Sequence, residues 1–457
     1  MECFRLEWLD MLGIARGDRV KQSYRNQNLD GGYQLKPSRV LVFSATFGAG
    51  HVKAAEALIE TIKNIKPSVE IMHEDSVAML NKNMNYFLCA LYITLMKRAP
   101  KVWGVFYKQT QELSEDSLIQ RFLNTLGRGQ FVTYLNIVKP DIIVCTYPTV
   151  AGVLAQLRTK GKLNIPVVAV VTDYTVHSQW IHQGVDAYIV GSAKVYKGFI
   201  ARGIEPSRIQ ISGIPVNPRF ERNLNKEDIL GRLGFVENRL TFLVMCGACG
   251  VLDKAKWICK LIANVQAPVQ AIIVCGNDQK LFSSLDSVVQ EARNPMVRFK
   301  FVHNVDELMT AADIIITKAG GLTVSEALTK HIPMIIFKPI PGQEENNAKF
   351  VEEIGAGRIA FSDEQFVEIM NELITNPCEI KKMSAAAIQA FPGHSAEKAA
   401  QVILELAADF SLRTISNDQA AYTPPRQRRA SAWFSTLFRI SRPFLPMLKR
   451  SLPFFFR

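Results

Sequence analysis

The sequence predicts an α/β chain of two doubly wound, parallel-sheet domains, and three observations predict it. From Arg39 onward, β-branched apolar runs alternate with helical patterns. The alternation stops at Gly213-Ile214-Pro215-Val216-Asn217-Pro218 and then starts again. The length, 457 residues, exceeds one ordinary core, so two domains of roughly 150–200 residues each are expected.

In chain order, residues 1–38 read as a short leader helix followed by a polar linker rich in Gly, Asn and Gln. The first domain spans 39–214. Its expected strands are Val40–Ala45, Val69–Met72, Asp141–Cys145, Val167–Val171, Ala187–Val190 and Ile209–Ile211, with a helix over His51–Ile65 whose Ala54, Ala55, Leu58, Ile59 and Ile62 share one face. The second domain spans 215–395, with strands over Thr241–Cys246, Ala271–Cys275, Val297–Val302, Ile314–Thr317 and Met334–Phe337, each followed by a helical pattern. After the breaker Phe391-Pro392-Gly393-His394-Ser395 comes an amphipathic helix, 396–411. Residues 412–457 form a tail, expected to be without structure as far as residue 430.

Composition narrows the classes. Eight cysteines without regular spacing and no secretory leader point to a reducing compartment. Cys246-Gly-Ala-Cys249 is a lone C-x-x-C without the second pair that a structural zinc site needs. No run approaches the ~18–20 apolar residues of a membrane span. The net charge is +12, and eight cations of the tail (Arg426, Arg428, Arg429, Arg439, Arg442, Lys449, Arg450, Arg457) carry two-thirds of that excess without a single acid after Gln419. Trp433, Phe434 and five phenylalanines are interleaved with them, a pattern suited to an anionic membrane surface. No nucleic-acid motif accompanies the charge, so no nucleic-acid partner is expected; a protein partner is the alternative. The apolar stretch Met79–Phe106, including Phe87, Tyr92 and Trp103 with basic edges, reads either as core packing or as a membrane-facing acceptor surface.

Two glycine clusters carry the chemistry. Each follows a β-branched run and opens a helix, where free amides and the helix dipole receive a phosphate. In the second domain, Gly320, Gly321 and Thr323 lie at such a turn, Glu326 sits one turn on, and Gln343, Glu344 and Asn347 open the next helix. Together they suit a nucleotide sugar: amides for the diphosphate, Glu326 for both ribose hydroxyls, and the later polar set for sugar hydroxyls. Singly, each reads equally as a cap or a solvated face. In the first domain Gly48-Ala49-Gly50 leads into His51. A helix dipole disfavours protonation there, so the imidazole can accept a hydroxyl proton near neutral pH; a capping or phosphate-binding histidine is the other reading. Asp173 and His177, after a strand end, either orient an acceptor, assist His51 or form a buried structural pair. No D-x-D occurs, so no metal is expected to hold the diphosphate.

The ordered set Gly48-Ala49-Gly50-His51-x-x-Ala54-Ala55, Thr172-Asp173…His177…Trp180, Ile316-Thr317-Lys318-Ala319-Gly320-Gly321-x-Thr323-x-Ser325-Glu326 and Lys338-Pro339-x-Pro341-Gly342-Gln343-Glu344 resembles the diacylglycerol glycosyltransferases over roughly residues 39–410. The second half is also similar to the peptidoglycan N-acetylglucosamine transferase. The resemblance implies a GT-B fold, with a cleft between two Rossmann-like domains. It further implies an inverting transfer of hexose, glucose before galactose, from a UDP-sugar to 1,2-diacylglycerol, by a peripheral protein at the cytoplasmic face of a membrane and without a cofactor. By that match His51 falls on the proposed base, Gly320, Gly321 and Thr323 on the diphosphate, Glu326 on the ribose, and Gln343 and Glu344 on the sugar. Backbone around Val302 and Val305 falls on the uracil, and the loop from Gly247, which departs from the family in having Cys249, on the phosphates. A polyprenyl-diphosphate acceptor, a UDP-sugar-binding protein without turnover and a sugar-nucleotide epimerase of similar fold are the alternatives.

Overall fold

A computed structural model describes residues 38–46, 49–79, 99–113, 117, 120, 124, 125, 127–247, 252 and 254–416. Among these, two wholly parallel six-stranded sheets carry the architecture. The first contains β1 (Arg39–Ser44), β2 (Glu70–Asp75), β3 (Ile142–Cys145), β4 (Val167–Val170), β5 (Ala187–Val190) and β6 (Ile209–Ile211), in the order β2-β1-β3-β4-β5-β6. The second contains β7 (Leu240–Met245), β8 (Val269–Val274), β9 (Met296–Phe299), β10 (Ile314–Thr317), β11 (Met334–Phe337) and β12 (Gly357–Ala360), in the order β12-β11-β10-β7-β8-β9. Strands such as Ile142–Cys145 and Val167–Val170 are buried at every position. Continuous β-branched runs of this kind belong to parallel sheets covered by helices on both faces.

The orders place the site. Strand order reverses between β1 and β3 in the first sheet and between β7 and β10 in the second. Ligands of doubly wound sheets bind beyond the carboxyl ends of the strands at such reversals. Beyond β1 and β3 come the turn into the helix Ala49–Ile65 and the segment Thr146-Tyr147; beyond β7 and β10 come Gly247 and Lys318-Ala319-Gly320. Both glycine clusters of the sequence therefore follow strands that flank a reversal.

The expected strands form within two or three residues of their predicted limits, but β12 went unrecognised, because Gly357-Arg358-Ile359-Ala360 is too short and mixed to carry a period. The last helix runs from Ser395 to Ser416, so residues 412–416, expected to lack structure, continue it. Its Ala399, Ala400, Ile403 and Ala407 are buried against Ala55, Leu58 and Ile62 of the helix Ala49–Ile65 and against β1, β3 and β4. The chain thus crosses from the first sheet to the second near Gly213 and back near Phe391. The two crossings touch: a Cβ on Gly213 would lie 2.3 Å from the Phe391 ring, and the Val216 amide donates to Ser395 Oγ at 3.1 Å.

Candidate active site

The helix Ala49–Ile65 begins beside the helix Gly321–Thr329: a Cβ on Gly50 would stand 3.8 Å from Leu322 Cβ. Gly320 caps the latter helix with no side-chain hydrogen bond. Its first-turn amides at Gly321, Leu322 and Thr323 have no intrahelical acceptor and point toward the gap between the lobes. Gly321 has a second reason to be glycine, since a Cβ there would sit 2.2 Å from the Thr172 carbonyl oxygen.

His51 lies in the first turn of its helix, half-buried. Its Nδ1 stands 2.7 Å from the Thr146 carbonyl oxygen and 2.9 Å from Thr172 Oγ1. A carbonyl can only accept, so Nδ1 carries the proton and Nε2 the lone pair. Thr146 also holds the backbone, its Oγ1 donating to the His51 carbonyl at 2.9 Å. The Tyr147 ring meets the imidazole edge-on at 5.2 Å. Burial lowers the His51 pKa to about 4 against the opposing pull of the Thr146 bond, so the ring is neutral at pH 7. A neutral imidazole of fixed tautomer in this setting is fit to take a proton at Nε2.

The segment Thr172-Asp173-Tyr174, following β4, is driven into the second lobe. Gln343 Nε2 donates to the Asp173 carboxylate. The Tyr174 amide donates to Asn347 Oδ1 at 2.9 Å, while Asn347 Nδ2 donates to the Ala319 carbonyl at 3.1 Å. The Tyr174 ring stacks on Phe350 at 4.2 Å, and its hydroxyl is 2.8 Å from Ser325 Oγ. Tyr174 is thus a first-lobe residue in the second lobe's core. Burial raises the Asp173 pKa to about 6, opposed by hydrogen bonds from Gln343 and Asn347.

These contacts correct two expectations. Asn347 was expected at the sugar; it is fully buried with its Oδ1 and Nδ2 bonded to protein, so it clamps the lobes. Of the alternatives open for Asp173 and His177, direct assistance to His51 is the one the geometry removes. Asp173 faces Gln343, and His177 caps a short turn by accepting from the Gln179 amide at 3.2 Å, with Nε2 3.3 Å from Thr110 Oγ1. Burial, reinforced by Arg202, holds the His177 pKa at about 4. The residues that do support His51, Thr146 and Thr172, went unnoticed because only the strand order shows that β3 and β4 end beside the turn after β1.

The remaining predicted positions line the second lobe. Glu326 is half-buried with its pKa pushed up to about 8 by burial, opposed by Arg219 and Lys53. Lys53 belongs to the His51 helix, so the two lobes also meet electrostatically here. Glu344 accepts from the Ile340 amide at 3.2 Å, and burial raises its pKa against Lys318. Thr323 and Gln343 are half-buried. Gly247, exposed, has φ +75°, a conformation suited to glycine. Val302 and Val305 pack their side chains on the second lobe's core, leaving backbone as their polar offering.

Phe87, Tyr92, Trp433 and Phe434 lie outside the described residues, as does the Trp103 side chain. Of the apolar stretch, the described helix Pro100–Gln111 buries Gly104 and Tyr107 against the second lobe's loop. A Cβ on Gly104 would be 2.5 Å from Pro341 Cβ, and one on Gly342 2.9 Å from the Tyr107 ring. That part is packing.

Comparison with known proteins agrees with this geometry. Residues 51–216 match the family model for monogalactosyldiacylglycerol (MGDG) synthase, and residues 241–403 the glycosyltransferase family 28 C-terminal domain. Processive diacylglycerol beta-glucosyltransferases of Bacillus cereus and Bacillus thuringiensis (strain Al Hakam) are each 30% identical to the chain. The alignments cover 77% and 81% of it and 89% and 94% of theirs. The chain belongs to the diacylglycerol glycosyltransferase family. Solved structures place this family member in the GT-B fold. MurG of Acinetobacter baumannii superposes with a TM-score of 0.54 at 16% identity, over 81% of this chain and 100% of that one. A Polygonum tinctorium UDP-glucosyltransferase gives 0.55 at 12%, over 81% and 99%. No helix among the described residues is long and apolar enough to cross a membrane.

Proposed function

We propose that the chain transfers a hexose from a UDP-sugar to 1,2-diacylglycerol, with inversion, at a membrane surface. The observation that carries this is the placement of His51: a neutral imidazole with its Nδ1 proton fixed by Thr146, beside the open amino end of the helix Gly321–Thr329. The Nε2 lone pair takes the proton of the free glycerol hydroxyl. That oxygen attacks the anomeric carbon from the face opposite the diphosphate, and the bond from that carbon to the diphosphate oxygen breaks in the same displacement, which inverts the centre. The charge left on UDP is received by the amides of Gly321, Leu322 and Thr323. Glu326 holds the ribose, while Gln343 and Glu344 face the sugar. Backbone near Val302 and Val305 holds the base. Leaving-group stabilisation by amides needs no metal in this scheme.

Glucose is favoured as the sugar because the similar Bacillus proteins bear the name of glucosyltransferases. The basic, aromatic tail supplies attachment to an anionic, cytoplasm-facing bilayer. The test is turnover. Full-length protein with diacylglycerol in anionic vesicles should release UDP from UDP-glucose or UDP-galactose, with or without EDTA, and mass spectrometry of the lipid identifies the hexose. His51→Asn should abolish release. Absence of turnover with any lipid acceptor overturns the assignment, and loss of turnover in EDTA overturns its metal-free form.

A further inference from the structure

Thr172 touches both halves of the reaction at once. Its Oγ1 is 2.9 Å from His51 Nδ1, and its carbonyl oxygen is the atom on which Gly321, at the start of the donor-side helix, is packed. The next two residues continue the same contact through Gln343 and Asn347. We propose that Thr172 is a positioning residue for the base, holding the His51 ring in register with the amino end of the Gly321–Thr329 helix. The proposal rests on the reading of His51 as the base.

The physical case begins with the ring's freedom. The outer torsion of a histidine is broad and roughly two-fold, so a single partner on Nδ1 defines the ring plane poorly, and a flip exchanges the nitrogens for carbons. Thr146 supplies one acceptor for the Nδ1 proton at 2.7 Å; Thr172 Oγ1 takes the second branch at 2.9 Å. With two acceptors fixed on different strand ends, β3 and β4, the ring plane is determined and Nε2 keeps one direction. Two oxygens about the Nδ1 proton also favour the imidazolium that forms once Nε2 has taken the hydroxyl proton. Neither effect requires contact with the sugar nucleotide. Loss of Oγ1 should therefore appear in kcat while the KM for the donor stays nearly constant. Because the same residue's carbonyl abuts Gly321, the base and the diphosphate amides share one support.

The test uses the full chain with Thr172→Val, Thr172→Ser, His51→Asn and the double variant Thr172→Val/His51→Asn, assayed with diacylglycerol vesicles and UDP-glucose. Valine keeps the shape and deletes the hydroxyl; serine keeps the hydroxyl. Thr172→Val should lower kcat about 10- to 100-fold with the donor KM within about twofold, serine should recover most of it, and the double variant should fall no further than His51→Asn alone. Wild-type kcat in Thr172→Val overturns the proposal. So does a serine variant as impaired as valine, with the same loss of melting temperature, since a packing role alone then suffices. Undiminished turnover in His51→Asn instead overturns the reading of His51, whatever Thr172→Val does.

Discussion

Replacing Gly321 with alanine tests whether the two lobes meet as closely as the geometry states. The added Cβ would lie 2.2 Å from the Thr172 carbonyl oxygen and 3.2 Å from its carbon, with Ile214 Cδ1 at 3.4 Å. Carbon and oxygen in contact stand about 3.3 Å apart, so roughly 1 Å of movement is needed. Neither side yields easily, because the obstacle is backbone: Thr172 is anchored through Tyr174 and Asn347, and the helix through Ser325. Overpacking of this kind costs about 1–3 kcal/mol, or roughly 2–10 °C in melting temperature. The same 1 Å separates His51 from the helix end, and a misplacement of that size can cost about 100-fold in kcat. Gly320→Ala is the internal control. At that position only Thr323 Oγ1, at 3.9 Å, comes within contact distance of a Cβ, and φ is −65°. Thermal unfolding of both variants, followed by UDP release, decides the matter. The reasoning is refuted if Gly321→Ala melts and turns over like wild type, or if Gly320→Ala loses as much stability as Gly321→Ala.

Four further outcomes are expected. With the His51 pKa at about 4, kcat at saturating donor should stay near its plateau at pH 5.5, where a histidine of ordinary pKa would be about 90% protonated; a limb centred near 6.5 would contradict the assignment. Asn347→Leu strands the Tyr174 amide and the Ala319 carbonyl and should destabilise by about 2–4 kcal/mol in urea unfolding, whereas a surface-like change under 0.5 kcal/mol would remove its clamp role. Glu326 holds its proton to about pH 8 when folded but loses it near 4.5 when unfolded, so it costs stability increasingly as pH rises between those values. Glu326→Gln should therefore gain, at pH 8 relative to pH 5, on the order of 1–2 kcal/mol after allowance for its partial exposure, and a pH-independent difference would contradict that. Truncation after Ser416 should weaken sedimentation with anionic vesicles, most at low salt, while UDP affinity stays within about twofold; equal partition of both forms would refute the tail's role.

Much of the fold was legible because both of its signals are local. The β-branched runs and the glycine turns that end them sit within single stretches of about ten residues, and residues such as Ile314–Thr317 followed by Gly320-Gly321 announce a strand, a turn and a helix together. What escaped was non-local. Asn347 looks like a sugar ligand when read beside Gln343 and Glu344; only the approach of Tyr174, 173 residues earlier, gives its amide group two protein partners. Thr146 and Thr172 resemble any strand-end threonine until the order β1-β3-β4 sets them around His51. His177 falls near the other candidates in sequence, yet the turn it caps directs its ring toward Thr110.

The return of the helix Ser395–Ser416 to the first sheet bears on how such a protein can be divided. A cut at Gly213 does not yield two independent halves: the first would expose the alanine and isoleucine seam of β1, β3, β4 and the helix Ala49–Ile65, and the second would trail an unpaired amphipathic helix. Chimeras that exchange the sugar-nucleotide lobe should therefore be spliced twice, near Gly213 and near Phe391, leaving the final helix with the lobe that receives the acceptor. The basic tail would then travel with the acceptor lobe as well, so an exchange of donor preference need not disturb where on a bilayer the protein lands.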